Sequence, residues 1–170
     1  MPVSANAPRA AIIVERGDGK PIHVGGDEVT IKISSSDTGG AFAVFEGRTR
    51  PLHGPPLHLH RYQDETWYVL EGEYRFEVDG QEIYAGAGAT VFAPRGSRHT
   101  FQNIGSTYGR MVTTVVPGGL DDFFEEADAA VPRGAVPDPA KMLPIFEKYG
   151  LELLGPPLAA RPQTAGAPCD

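Results

Sequence analysis

Residues 54–73 read GPPLHLHRYQDETWYVLEGE, and the reading of that stretch decides the fold. Pro55-Pro56 holds the chain extended and argues against a helix. Side chains of an extended segment alternate with period two, so His58-x-His60 turns two imidazoles to the same side. Glu65 opens the next run, Glu-Thr-Trp-Tyr-Val-Leu, which is rich in strand formers and closes at Glu71-Gly72. Further on, Gly88, Pro94, Gly96 and Asn103 punctuate a second apolar stretch that carries His99. Three imidazoles and one carboxylate supply a complete set of donors for a first-row metal, which makes His58, His60, Glu65 and His99 the candidate ligands. Asp64 is an alternative carboxylate, although Glu65 fits the spacing to Gly72 better. His23 and His53 stand outside this pattern and read as surface or structural histidines.

Outward from that stretch the chain reads as short strands between turns. Ala11–Val14 is expected to be a strand, followed by Val29–Ser34 after Gly-Gly-Asp and by Ala41–Glu46 after Gly39-Gly40. Val29, Ile31 and Ile33 alternate with Thr30, Lys32 and Ser34, the mark of a half-buried strand. Tyr74–Asp79 turns at Asp79-Gly80 and returns through Gln81–Tyr84, because Asp-Gly tolerates positive φ at both turn positions. Thr90–Ala93, Ser97–Asn103 and Tyr108–Val116 complete a pattern that suits an antiparallel jelly roll. After Gly118-Gly119 the period changes. Leu120, Phe123, Phe124 and Ala127 recur at helical spacing, with Asp121 and Asp122 favourably placed in the first turn. A Pro/Gly-rich linker over 131–137 leads to a second helix, capped by Asp138 with Pro139 at its first position and stopped by Gly150. Pro144 inside that segment predicts a break or a later start. Both helices are expected to pack outside the barrel, with their apolar stripes serving as core.

Composition excludes several classes. A chain of 170 residues has room for one core, and 41% apolar residues with 21 Gly and 16 Pro suit an all-β domain with many turns. The net charge of −7 and pI near 5.2 disfavour nucleic acid and anionic membranes as partners. No run of eighteen apolar residues offers a membrane span, and the apolar stretch at 10–14 is too short for a signal peptide. Cys169 has no partner in the chain, so a cytoplasmic setting is expected. The expected division is a flexible tail at 1–8, an all-β barrel at 9–117, a helical segment at 118–153 and a mobile tail at 154–170.

The two punctuated stretches resemble the paired motifs of the cupin family. The first is carried by His58, His60, Glu65 and Gly72. The second is matched at every position by Gly88, Pro94, Gly96, His99 and Asn103. One departure is that the family's leading Gly would fall at Leu52, whereas this chain has Gly54. The resemblance implies a cupin jelly-roll β-barrel with one or two C-terminal helices, and homodimerisation. It also implies one divalent first-row metal per chain (Fe, Ni, Co, Mn or Zn) on His58, His60, Glu65 and His99, with a metal-free barrel as the bland alternative. Residues 54–60 followed by 65–73, and Gly119-Leu120-Asp121-Asp122-Phe123-Phe124, are similar to quercetin 2,3-dioxygenase-like members. That similarity implies a dioxygenase for a flavonol-like or other enol-bearing compound, in which Glu65 accepts the proton of the substrate hydroxyl and dioxygen attacks the activated ring.

Strand parity places Trp67 and Val69 with Glu65, and Phe101 with His99, which predicts an apolar pocket for a flat, uncharged small molecule. Arg61 and Arg75 are expected to point away, which argues against a phosphorylated substrate. A non-redox isomerase- or lyase-like cupin and a non-catalytic binding barrel are the rival readings.

Overall fold

The computed structural model describes residues 10–24, 27–131 and 138–161. The expected tail at 1–8, most of the 131–137 linker and the end of the C-terminal tail with Cys169 lie outside them. Two antiparallel sheets face one another. Six strands form the first: β1 (Lys20–Val24), β2 (Asp27–Ile33), β3 (Ala43–Thr49), β5 (Asp64–Glu71), β8 (Thr90–Ala93) and β10 (Gly109–Val116), ordered β1-β2-β3-β10-β5-β8. The second is ordered β11-β4-β9-β6-β7 and comprises β4 (Leu57–His60), β6 (Glu73–Val78), β7 (Gln81–Gly86), β9 (His99–Asn103) and β11 (Leu151–Gly155). This is the all-β jelly roll expected from the spacing of turns, with its helices on one open side.

The inward faces follow the period-two pattern. Ala43, Phe45 and Thr49 on β3, Glu65, Trp67 and Val69 on β5, and Met111 and Val115 on β10 are all buried. Trp67, Val69, Tyr74, Phe76, Val91 and Met111 make one apolar cluster, in which Trp67 and Phe76 meet at 5.3 Å between ring centroids. The β6–β7 hairpin turns where expected, with Asp79 at φ 48° and Gly80 at φ 82°.

Ala11–Val14 is not a strand, contrary to expectation. Ile12 and Ile13 are exposed, because Lys20–Val24 instead pairs with β2 and leaves the earlier run without a ladder. A one-turn helix, α1 (Ser35–Thr38), follows β2 and is closed at its start by a capping box between Ser34 and Asp37.

The expected helices are α2 (Leu120–Ala130) and α3 (Pro139–Lys148). Asp121 in the first turn of α2 is buried and accepts hydrogen bonds from the Ser35 backbone at 2.7 Å and from the Ser35 hydroxyl, which fastens the helix to α1. Asp138 caps α3 by accepting from Ala140 N at 3.0 Å. The expected break at Pro144 does not occur. Pro144 sits on the exposed side of α3, while Met142 and Ile145 hold the other side in the core.

The sequence reading offers no strand after α3. The structure returns the chain to the second sheet there, with Leu151, Glu152 and Leu153 opposite His60, Leu59 and His58. Beyond β11, Leu158 is buried in a short 3-10 turn, and Arg161 donates to Glu77 at 2.8 Å.

Tyr74 is fully enclosed, and burial pushes its phenol up to about 12. The unfolded chain releases that proton near pH 10, whereas the folded chain holds it. Stability is therefore expected to fall as pH rises from 10 towards 12. Denaturant titrations at pH 8 and pH 11 should show Tyr74→Phe losing less stability between the two than the wild type. Equal losses would mean that Tyr74 does not carry the effect.

Candidate metal centre

The donor set is split between the two sheets, three histidines on one and Glu65 on the other. His58 and His60 lie two residues apart on β4 and face inward together, as the His-x-His spacing predicts. His99 opens β9 and pairs directly with His58 across the ladder. Glu65, the second residue of β5, approaches from the facing sheet. The donor atoms of the four side chains all lie within 4.8 Å of one another.

The local chain explains the alignment. Gly54 crosses β9 so closely that a Cβ there would stand 1.8 Å from the Phe101 carbonyl oxygen, so no other residue fits. Its role is this close approach, while the turn before it falls at Pro51-Leu52, where Leu52 has φ 61°. Pro55 then offers its carbonyl to the Thr100 hydroxyl at 2.7 Å, which seats the entry to β4 against β9. β11 completes a ladder on the other side of β4.

Second partners orient two of the rings. His58 Nδ1 donates to the Pro56 carbonyl at 2.8 Å, and His99 Nδ1 donates to the Ser97 carbonyl at 3.1 Å. Both contacts put the proton on Nδ1 and leave the Nε2 lone pair facing the cluster, the arrangement that metal-binding imidazoles use. Burial, followed by the neighbouring imidazoles, pushes His58 and His60 down to about 3, so both are neutral at pH 7.

Glu65 Oε2 lies 3.2 Å from His99 Nε2 and 3.5 Å from His60 Nε2. Among the described residues, Glu65 Oε2 and His99 Nε2 are buried without a hydrogen-bond partner. Leaving a carboxylate oxygen and a ring nitrogen so placed is costly, and a cation at their common focus removes that cost. The donor set therefore fits a divalent first-row metal, with three neutral nitrogens and one oxygen.

Asp64, the alternative carboxylate, faces the other way. It accepts from Arg95 Nη2 at 2.8 Å, Nε at 3.1 Å and backbone N at 2.8 Å, and these bonds hold its carboxyl down at about 2. Arg61 and Arg75 also point away, towards Glu152 and Glu82 respectively. His23 is exposed, as expected.

A cavity of about 560 Å³ opens beside the cluster, with His58, His60 and Glu65 in its wall. Trp67, Phe101, Phe45 and Met111 line it as well, so it has the apolar character that strand parity predicted. The structure adds two contributions that sequence reasoning missed. Leu120, Phe123, Phe124 and Phe146 bring the helical stripes into the wall, so those residues serve both core and cavity. His53 and Asp27 also line the cavity, although His53 reads from the sequence as a surface or structural histidine. The signal for Asp27 was present in the alternation of Val29, Ile31 and Ile33, which runs back one step to residue 27.

A cupin domain model matches residues 47–116. The quercetin 2,3-dioxygenase of Bacillus subtilis is 31% identical over 112 residues, which are 66% of this chain and 33% of that protein. This chain thus matches a third of that relative's length. The polyketide synthase protein CurC of Streptomyces cyaneus is 30% identical over 113 residues, covering 65% of this chain and 72% of that protein. The structure of the polyketide cyclase RemF from Streptomyces resistomycificus superposes with a TM-score of 0.55 at 25% identity, covering 63% of this chain and 80% of that one.

Elemental analysis of protein purified without chelator is expected to give about one equivalent of a divalent first-row metal. His60→Ala and His99→Ala are each expected to lose most of it while keeping the far-ultraviolet circular dichroism of the parent, because each removes one donor from a set of four. Full occupancy in either variant would remove that histidine from the donor set.

Proposed function

This chain belongs to the cupin family, and from that membership we propose that it is a metal-dependent dioxygenase. Its substrate is a flavonol-like or other enol-bearing small molecule. His58, His60, Glu65 and His99 hold one divalent metal. The observation that carries the reading is the orphaned Glu65 Oε2, set among three imidazoles in the wall of a largely apolar cavity. A metal bound there supplies a Lewis acid and, where it is redox-capable, a path for electrons between substrate and dioxygen.

The chain's own residues account for the remaining requirements. The apolar walls take a planar aromatic body, with Trp67 and Phe101 presenting large flat side chains. The same walls keep bulk water from the reacting carbon, which favours attack by dioxygen over hydrolysis. Neutral His58 and His60 put no positive charge on the imidazoles that would repel a cation. The Glu65 carboxylate can swing out of the donor set, and in that position it accepts the proton of the substrate hydroxyl and generates the electron-rich enolate. Arg61 and Arg75 lie outside the cavity, in keeping with an uncharged substrate. The similarity to quercetin 2,3-dioxygenase supports the flavonol-like class.

A second reading, a non-redox metal cupin of isomerase or lyase type, draws support from the likeness to the polyketide cyclase RemF and to CurC, which is matched over more of its own length. It uses the same proton transfer at Glu65 without oxygen.

Oxygen uptake separates the two. With a flavonol and metal-loaded protein, one dioxygen consumed per substrate is the expected result. Substrate turnover without oxygen uptake would favour the second reading, and binding without turnover would favour a non-catalytic barrel. Glu65→Gln is expected to retain more metal than His99→Ala does, yet to turn over about a hundredfold or more slowly, the usual scale of a lost general base. Normal turnover in Glu65→Gln would take the proton-accepting role away from this residue.

A further inference from the structure

The end of the cavity remote from the metal cluster carries a second group of polar side chains that the proposed chemistry does not use. Asp27, at the start of β2, and His53, in the loop before β4, both face the cavity. The His53 carbonyl accepts from Asn103 N at 2.9 Å, whereas His58 pairs with His99. The two polar ends are thus four residue steps apart along β9, about 13 Å of strand. Most of the remaining lining is apolar, with Trp67, Phe101, Phe45 and Val29 beside a few polar side chains such as Thr113.

The local bonding leaves both side chains with unused hydrogen-bonding capacity, Asp27 mostly buried and His53 nearer the surface. Arg50 N donates to Asp27 Oδ1 at 3.4 Å, and the Arg50 guanidinium approaches His53 Nδ1 at 3.5 Å. A guanidinium cannot accept, so Nδ1 is the acceptor in that contact and the His53 proton sits on Nε2. His53 Nδ1 and Asp27 Oδ1 are 4.0 Å apart, too far for a hydrogen bond, so the two do not saturate one another. Oδ2 of Asp27 accepts no hydrogen bond from the described residues. Burial also raises the Asp27 carboxyl above its ordinary value, as expected for an acceptor short of partners.

We propose that Asp27 and His53 form a far-end subsite that binds a second hydroxyl group of the substrate, so that the substrate class is a planar phenol of two or three linked rings bearing polar groups at both ends. A phenolic hydroxyl donates one hydrogen bond and accepts another. The Asp27 carboxylate takes the first and His53 Nε2–H supplies the second. An apolar cavity with a single polar end would let a flat substrate bind in either direction, and a polar group at each end fixes the orientation that brings the enol to Glu65. This inference rests on the flavonol-like reading of the substrate proposed above.

Trp67 is the only tryptophan of the chain and lines the cavity, so its fluorescence reports occupancy without turnover. The test titrates metal-loaded protein without oxygen using three probes: 3-hydroxyflavone, with the enol alone, and 3,4′- and 3,7-dihydroxyflavone, with one further hydroxyl on either outer ring. At least one dihydroxyflavone is expected to bind about tenfold or more tightly than 3-hydroxyflavone, the scale of a hydrogen bond to a charged group. Asp27→Ala and His53→Ala are each expected to remove most of that advantage while leaving 3-hydroxyflavone affinity unchanged, which also shows that the variants are folded. Equal affinity for all three probes, or an advantage that survives in both variants, would overturn the far-end subsite and leave the flavonol-like reading standing. Absence of quenching by any flavone would overturn both.

Discussion

The pairing of His58 with His99 across β4 and β9, opposite Glu65 on the facing sheet, is the constraint on which the rest of the structure depends. It gathers three imidazoles and a carboxylate in a site from which water is largely removed. Unpaired polar atoms at such a place cost several kcal/mol in aggregate, by the usual penalty of about 1–3 kcal/mol for each buried group left unsatisfied. A fold retains that arrangement only when the surrounding chain over-determines it. Here the over-determination is visible. Gly54 allows the chain to press against β9, Pro55 and Pro56 offer carbonyls to Thr100 and His58, and the Ser97 carbonyl holds His99.

The second support is remote in sequence. β4 shares only one residue pair with β9, which is little to fix a strand that carries two candidate ligands. β11 supplies the missing ladder, and it can do so only because α2 and α3 carry the chain back across the open side of the barrel. The helices are thus part of the site. Phe123 and Phe146 meet at 5.0 Å between ring centroids, with Phe123 also against Phe124, and all three contribute to the apolar wall of the cavity. Packing and the proposed chemistry draw on the same aromatic residues, because a dry wall that stabilises the barrel would also shield a reactive intermediate from water.

The cavity itself carries polar groups at two ends and is largely apolar elsewhere. One end is built from strand residues fixed by ladders on both sides. The other combines the first residue of β2 with a loop histidine and Arg50, so its geometry depends on how the 50–56 loop lies on β9. That loop is tied at Leu52 N and at the His53 carbonyl to Asn103, the last residue of the strand that His99 begins. The two ends therefore share β9 as a common ruler.

Much of this was legible in the residues alone, and the reason is locality. The His-x-His parity, the Asp79-Gly80 hairpin, the Asp138 cap and the inward row of Glu65, Trp67 and Val69 depend on periods of two or on a few adjacent residues, which a sequence displays directly. Pro144 shows the limit of such rules, since an exposed position near the middle of a short helix tolerates the missing donor when the opposite face is well packed. The exposed run at Ala11–Val14 shows another, because strand propensity cannot say which of two apolar segments reaches the free edge of β2. Only the tertiary structure decided that Leu151–Gly155 would brace the candidate ligand strand, and that Asp27, His53 and the helical phenylalanines would meet in one cavity. Those placements join residues some 20 to 120 positions apart, and their energy comes from burial and long-range pairing that no local pattern encodes.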